Sequence, residues 1–374
     1  MNIFDYLTWR GDVPFSIDPF NEVDNLVLCQ LAYTDFGEVL ETGESCPLSE
    51  AAQRFFAKHT REEIINTPSF YARAPLLMEG MVAGARFQDL YIKNYINIVD
   101  HQQTAQISAI TFLPGDGHAF VAFRGTDNTL VGWKEDLALG YQVETYGQKR
   151  AVAYLEEAAS QTELPLYVGG HSKGGNFAIY AASFCDSEIQ KRILRVFSND
   201  GPGFREEITA REGYHRILPK VTQIVPEESV FGMLLTHLTE PKVIRSDASG
   251  IMQHDCLSWQ VEKNAFVPGT LSEKSLIIQR AMSEWIREMD DDSRKFLSNT
   301  LFSVLEATGE NTIYGVINSK LKVTEALMNS LSELPREERN ELLSWIGVLF
   351  KSGSRSAVTV YKEKRAGEKE KAKG

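Results

Sequence analysis

The chain has 374 residues, 43% of them hydrophobic, which is enough to bury one large α/β core with an appendage or two modest domains. A formal net charge of −12 excludes the surplus of Lys and Arg that phosphate contacts need, so no nucleic-acid partner is expected. Four scattered cysteines (Cys29, Cys46, Cys185, Cys256) form no Cys-x-x-Cys pair, which argues against a zinc site or a disulfide framework.

Met1 to Gly11 carries an early acid and lacks the basic, apolar and small-residue segments of a secretion signal. No run of about 18 apolar residues offers a membrane span, and a cytoplasmic location is expected. Apolar residues at helical spacing (Val23, Leu26, Leu28, Leu31) predict a first helix, with Asn21 as its cap. Residues 50 to 66 and 75 to 83 also read as helices. From Ile96 the pattern turns to β: 96–99, then 106–112, a Pro-Gly-Asp-Gly turn at 114–117, and 118–124. A helix over 147–159 is followed by buried strands at 166–168, 193–197 and 221–225. Strands alternating with helices at this spacing predict a mostly parallel sheet covered on both faces, within residues 1–270. Past Leu271 the strands stop. Amphipathic helices are predicted over 275–289, 292–308 and 335–351, forming a helical extension over 271–355 that packs on the core or on a partner. A membrane-surface role is the alternative, although the polar faces mix acids and bases. Residues 356–374 form a charged tail that is expected to be mobile.

One segment carries the chemistry. Leu166-Tyr-Val-Gly-Gly-His-Ser-Lys-Gly-Gly-Asn176 is an apolar run leading into Gly-x-Ser-x-Gly and on into a helix-forming stretch. That is the layout of a nucleophile elbow with Ser172 at its tip, where Gly170, Gly174 and Gly175 leave room for the sharp turn. A serine hydroxyl needs a base and an acid that orients the base. Downstream histidines are His215, His237 and His254. His254 is favoured because it lies in a loop-like stretch after the last convincing strand. His237 sits in an apolar, helix-like segment, and His215 flanks a charged turn. For the acid, Asp200 after the strand ending at Phe197 competes with Glu228 and Glu227 after the next strand; Asp200 is preferred, since active-site groups gather at strand C-terminal ends. Oxyanion donors are expected from the backbone of Lys173 and from Thr126, which closes the strand end Phe123-Arg-Gly-Thr126.

Val121-Ala-Phe-Arg-Gly-Thr-Asp-Asn-Thr-Leu-Val-Gly-Trp133 and Gly170-His-Ser-Lys-Gly-Gly175 together resemble the class 3 (fungal-type) triacylglycerol lipases. His254 with Trp259 is similar to that family's histidine and nearby aromatic. Phe4-Asp-Tyr-Leu-Thr-Trp-Arg-Gly11, Asn21-Glu-Val-Asp24, Asn199-Asp-Gly-Pro-Gly-Phe204 and Gln253-His-Asp255 look like the bacterial lipase-like group called Mbeg-like proteins. The likeness covers about residues 1 to 265. It implies an α/β-hydrolase fold with Ser172 as nucleophile, Thr126 and Lys173 as oxyanion donors and His254 as base. It also implies an acid after the 221–225 strand, which favours Glu227 or Glu228 over Asp200. Lys173 stands where the family has Leu, which sets a cation beside the serine, either to pair with an acid or to favour an anionic substrate. Residues 127–133 lie where fungal lipases carry a lid, yet they are short and polar. The expected function is hydrolysis of carboxylic esters of a small-molecule or lipid substrate without metal or organic cofactor. Peripheral membrane contact is compatible with it. A thioesterase or acyltransferase using the same serine, or a noncatalytic scaffold that keeps the fold, is the alternative.

Overall fold

A computed structural model describes residues 1–310 apart from Thr42 and Phe70, together with isolated positions beyond. The helix expected over 335–351 falls partly, and the charged tail almost wholly, outside the described residues. In chain order the described elements are α1 (Ile3–Arg10), α2 (Glu22–Leu31), β1 (Ser45–Pro47), α3 (Leu48–Phe56), α4 (Arg61–Asn66), α5 (Leu77–Ala83), β2 (Tyr91–Asp100), β3 (Ala105–Leu113) and β4 (Ala119–Phe123). Then follow α6 (Leu130–Ala138), α7 (Tyr146–Ser160), β5 (Leu166–His171), α8 (Lys173–Phe184), α9 (Ser187–Arg192), β6 (Ile193–Asn199), α10 (Glu206–Thr209), α11 (Glu212–Ile217), β7 (Val221–Pro226), β8 (Lys242–Ile244), α12 (Glu273–Glu288) and α13 (Asp291–Ala307).

These eight strands form one sheet in sequential order, and two further two-residue strands, Val261–Glu262 and Ala265–Phe266, pair antiparallel apart from it. β1 to β4 pair antiparallel, and β4 to β8 pair parallel. The parallel half is the part predicted from alternating strands and helices. Its central strands are apolar along their length, as strands covered on both faces must be; β4 is buried at every position. One face packs against α1, α2, α3 and α5 through Leu26, Val27, Phe36, Phe112 and Phe120. The other packs against α7, α8 and α11 through Tyr154, Leu155, Phe177, Ile179 and Tyr214. This is the α/β layout expected of an α/β-hydrolase.

Local chemistry fixes the element ends. Asn21 caps α2 by accepting from Val23 and Asp24, while Asp24 reaches back to the Asn21 N–H. The helix expected over 50–66 is two helices instead. Thr60 and Glu63 form a capping box that starts α4 and so ends the continuous pattern. The helix-like segment around His237 is likewise not a helix. Leu235 takes a left-handed φ of 62°, and Thr236 exchanges backbone bonds with Phe204. α12 and α13 cover most of the first two predicted C-terminal helices, and α13 docks on α6 through Phe302 and Leu305 against Leu130 and Trp133. Among the described residues, no helix is long and apolar enough to cross a membrane.

Candidate active site

Register sets the site before any side chain does. His171 at the end of β5 lies opposite Asn199 at the end of β6, and Asn199 lies opposite Ile224 near the end of β7. The next residues, Ser172 and Asp200, therefore leave adjacent strands at the same edge of the sheet. Their backbones interlock: Ser172 N–H donates to Asn199 O at 2.9 Å, and Asp200 N–H donates to Ile224 O at 2.8 Å.

Ser172 adopts φ 57°, ψ −132°, a left-handed conformation that a serine holds only when its surroundings over-determine it. The glycines show how. A Cβ on Gly170 would stand 2.1 Å from Gly174 O, and one on Gly174 would stand 2.1 Å from Phe123 O. The start of α8 is thus pressed against β4 and β5 backbone with no space for a methyl group. Ser172 is 8% exposed at the tip of this bend.

Asp200 is fully buried and uses both oxygens. Oδ2 bonds His254 Nδ1 at 2.6 Å, while Oδ1 accepts the Ser229 hydroxyl at 2.5 Å and the Gly232 N–H at 3.1 Å. Both oxygens of this buried carboxyl therefore have partners, as burial of a polar group requires. His254 sits in the 3-10 turn Gly250–His254, its ring 4.4 Å from that of Phe231 and 4.6 Å from that of His171. Among the described residues its Nε2 has no hydrogen-bond partner, and neither does Ser172 Oγ. Catalytic contacts of this type are often long without substrate and tighten when it binds.

The other acids lie elsewhere. Glu228 accepts the Gly250 N–H and approaches Lys274 at 3.8 Å, while Glu227 bonds Thr270 N–H at 3.5 Å. Glu228 therefore anchors the start of the turn that carries His254 and does not touch the imidazole. His237 is partly buried against Gln223, and desolvation pushes its pKa down to about 4. His215 lies on α11, away from these residues.

The two expected donors flank the bend. Among the described residues, the backbone N–H groups of Lys173 and Thr126 have no acceptor. The Thr126 hydroxyl donates to Asp136 Oδ2 at 2.6 Å. Desolvation raises the Asp136 pKa to about 6, despite the nearby Lys173 charge and the Thr126 bond. The Lys173 side chain turns away from Ser172. Its Nζ meets Glu135 Oε2 at 3.0 Å, and the same carboxylate takes the N–H of Gln106 at 2.9 Å and of Gly147 at 3.0 Å. The cation that replaces an apolar residue is thus spent on a buried pair.

Sequence inspection missed three partners. His171 is buried, with burial first and His254 second holding its pKa well below the usual value. Neutral, it accepts from Tyr33 OH at Nδ1 (2.8 Å) and donates from Nε2 to His254 O at 3.0 Å. Tyr33 lies 138 residues upstream, so no local pattern announces it; Ser229, in Pro-Glu-Glu-Ser, was hidden beside two stronger acids. Among the described residues, no group of His, Cys, Asp and Glu is arranged to hold a metal.

No curated protein matches the sequence. Solved structures do so at low identity. An M37 lipase is 12% identical with a TM-score of 0.35, covering 87% of this chain and 97% of that one. A Rhizomucor miehei lipase–propeptide complex is 16% identical with a TM-score of 0.33 (65% and 85%). A fungal lipase–inhibitor complex is 13% identical with a TM-score of 0.30 (50% and 81%). The family model described as Mbeg1-like matches residues 81–303, a stretch that includes the elbow, Asp200 and His254. With well over half of its length matched, the chain belongs to the Mbeg1-like family.

Proposed function

We propose that this protein is a serine hydrolase that cleaves carboxylic esters through an acyl-enzyme on Ser172. The observation that carries the proposal is the 2.6 Å bond from His254 Nδ1 to buried Asp200, beside a serine held in a left-handed elbow. Ser172 Oγ attacks the ester carbonyl carbon and gives its proton to His254 Nε2. Asp200 keeps the Nδ1–H tautomer and stabilises the imidazolium. The oxyanion sits against the N–H groups of Lys173 and Thr126, donors of a kind whose loss costs about 10²–10³ in kcat. His254 then protonates the departing alcohol, and a water molecule activated by the same imidazole releases the acid.

A fluorophosphonate probe tests this directly, because it reacts only with an activated serine. The native chain is expected to be labelled, and Ser172→Ala is expected to abolish both labelling and hydrolysis of short acyl esters. Equal labelling of the variant would move the nucleophile elsewhere. A native chain that neither reacts nor turns over esters would leave a noncatalytic binding protein.

A further inference from the structure

A cavity of about 260 Å³ opens beside the strand end that carries Thr126. Its walls come from segments distant in sequence: Tyr33 and Asp35 after α2, Phe55 of α3, Glu63 of α4, Tyr71, and Arg124 after β4. Its wall approaches the serine through Tyr33, across Gly125. The point where a Cβ on Gly125 would stand is 2.3 Å from Tyr33 Oη and 2.9 Å from Ser172 Cβ.

The charge of the lining is unbalanced in a specific way. Two of its acids have partners within the wall: Asp127 pairs with Arg124 Nη2 at 3.1 Å, and Glu38 is hydrogen-bonded to His59 Nε2 at 2.6 Å. Asp35 and Glu63 have no ion-pair partner among the described residues. Each is nevertheless fixed in place through one oxygen only. Asp35 Oδ1 accepts Gly37 N–H and Tyr95 OH, both at 3.0 Å, and Glu63 Oε2 accepts the Thr60 N–H and hydroxyl, both at 2.8 Å. Those Thr60 bonds also hold the Glu63 carboxyl below its ordinary range, so it stays ionised at neutral pH. Asp35 Oδ2 and Glu63 Oε1 are left unbonded on oriented carboxylates. The lining also holds aromatic surfaces: Tyr33 and Tyr71 stack at 3.9 Å, and Phe55 is part of the same wall. Anionic oxygens over aromatic faces attract an organic cation and repel an anion. Arg124, 5% exposed, closes the side nearest the strand end, its Nη2 held by Asn97 and Asp127, both at 3.1 Å. The wall thus suits an ammonium group.

We propose that this cavity binds the ammonium-bearing alcohol half of a cationic ester, such as an ester of an amino alcohol, with Asp35 and Glu63 supplying the charge that attracts the cation. The inference rests on the ester-hydrolase assignment of Ser172. It is tested with butyrylcholine against 3,3-dimethylbutyl butyrate, which has the same shape without the charge. The native chain is expected to favour the choline ester by about tenfold in kcat/KM, chiefly through KM. Asp35→Asn with Glu63→Gln is expected to erase that preference, while turnover of the neutral ester stays within about twofold; each single variant lies between. Equal rates on the two native substrates, or a preference untouched by the double variant, would overturn it while leaving the ester-hydrolase assignment intact. If neither ester is cleaved, that assignment fails first. Calorimetry with free choline then decides for the cavity: binding lost in the double variant upholds it, and no binding to the native chain refutes it.

Discussion

Asp200 uses both oxygens, one for the imidazole and one for Ser229 and Gly232, whereas Glu228 meets the turn that carries His254 and not the ring itself. Removing the charge at each position should therefore have unequal effects. Asp200→Asn is expected to lower kcat on esters by about 10³–10⁴-fold, because an amide can impose the wrong imidazole tautomer. Glu228→Gln is expected to cost only a few-fold, and steady-state kinetics of the two variants separate them; near-native turnover of the Asp200 variant would reject its role. Asp136 gives a second test at this scale. Its native pKa of about 6 lies above the ordinary 3.8, so the folded state holds the extra proton, and the charge costs stability as pH rises from about 4 to 6. Asp136→Asn, which keeps an acceptor for Thr126, is expected to melt higher than the native chain at pH 7.5 and at the same temperature near pH 3.5. Sequence alone offered Asp200, Glu228 and Glu227 as equivalent chemistry at two strand ends. What distinguishes them is which carboxylate the β6–β7 register aims at the imidazole, and that is a tertiary quantity.

The elbow was legible because its physics is local. A tight approach of α8 to β4 demands glycine at fixed positions, and a strand before and a helix after can be read from apolar runs. Gly174→Ala is expected to lower stability by about 3 kcal/mol, since the new methyl would meet backbone oxygen at 2.1 Å and no rotamer can relieve it. The urea midpoint measures this, and an unchanged midpoint would mean that the turn is looser than its geometry implies. Elements set by longer-range demands were less legible. The 50–66 stretch has apolar residues at helical spacing throughout, yet Thr60-Arg-Glu-Glu63 is a capping box that restarts the helix, a signal present in the sequence and outweighed by periodicity. Around His237 the apolar run suggested a helix, whereas Phe204 recruits Thr236 into backbone pairing across 32 residues. The antiparallel β1–β4 half was read only in part, as three strands and a hairpin turn, because β1 is three residues long and without alternation.

At the level of the whole molecule, the sheet separates two apolar layers, and the N-terminal 80 residues supply most of the helices on one side. The family match begins at residue 81, in the middle of that layer. A chain cut to 81–303 would expose Phe112, Phe120 and Ala122 to water, and is expected to be insoluble or to lack a cooperative thermal transition. Residues 1–303 should retain one, as differential scanning calorimetry would show; a cooperative 81–303 fragment would make the N-terminal layer dispensable. The same layer reaches into the chemistry through a side-chain relay: Asn25 on α2 donates to Asn199 Oδ1 at 3.0 Å, and Asn199 donates to Gly170 O at 3.1 Å. One amide thus clamps the residue before the acid to the elbow strand. Helix α2 is in consequence a tensioner for the bends at Ser172 and Asp200, so Asn25→Ala, which cuts that amide relay and leaves the helix in place, is expected to lower turnover in protein that still unfolds cooperatively.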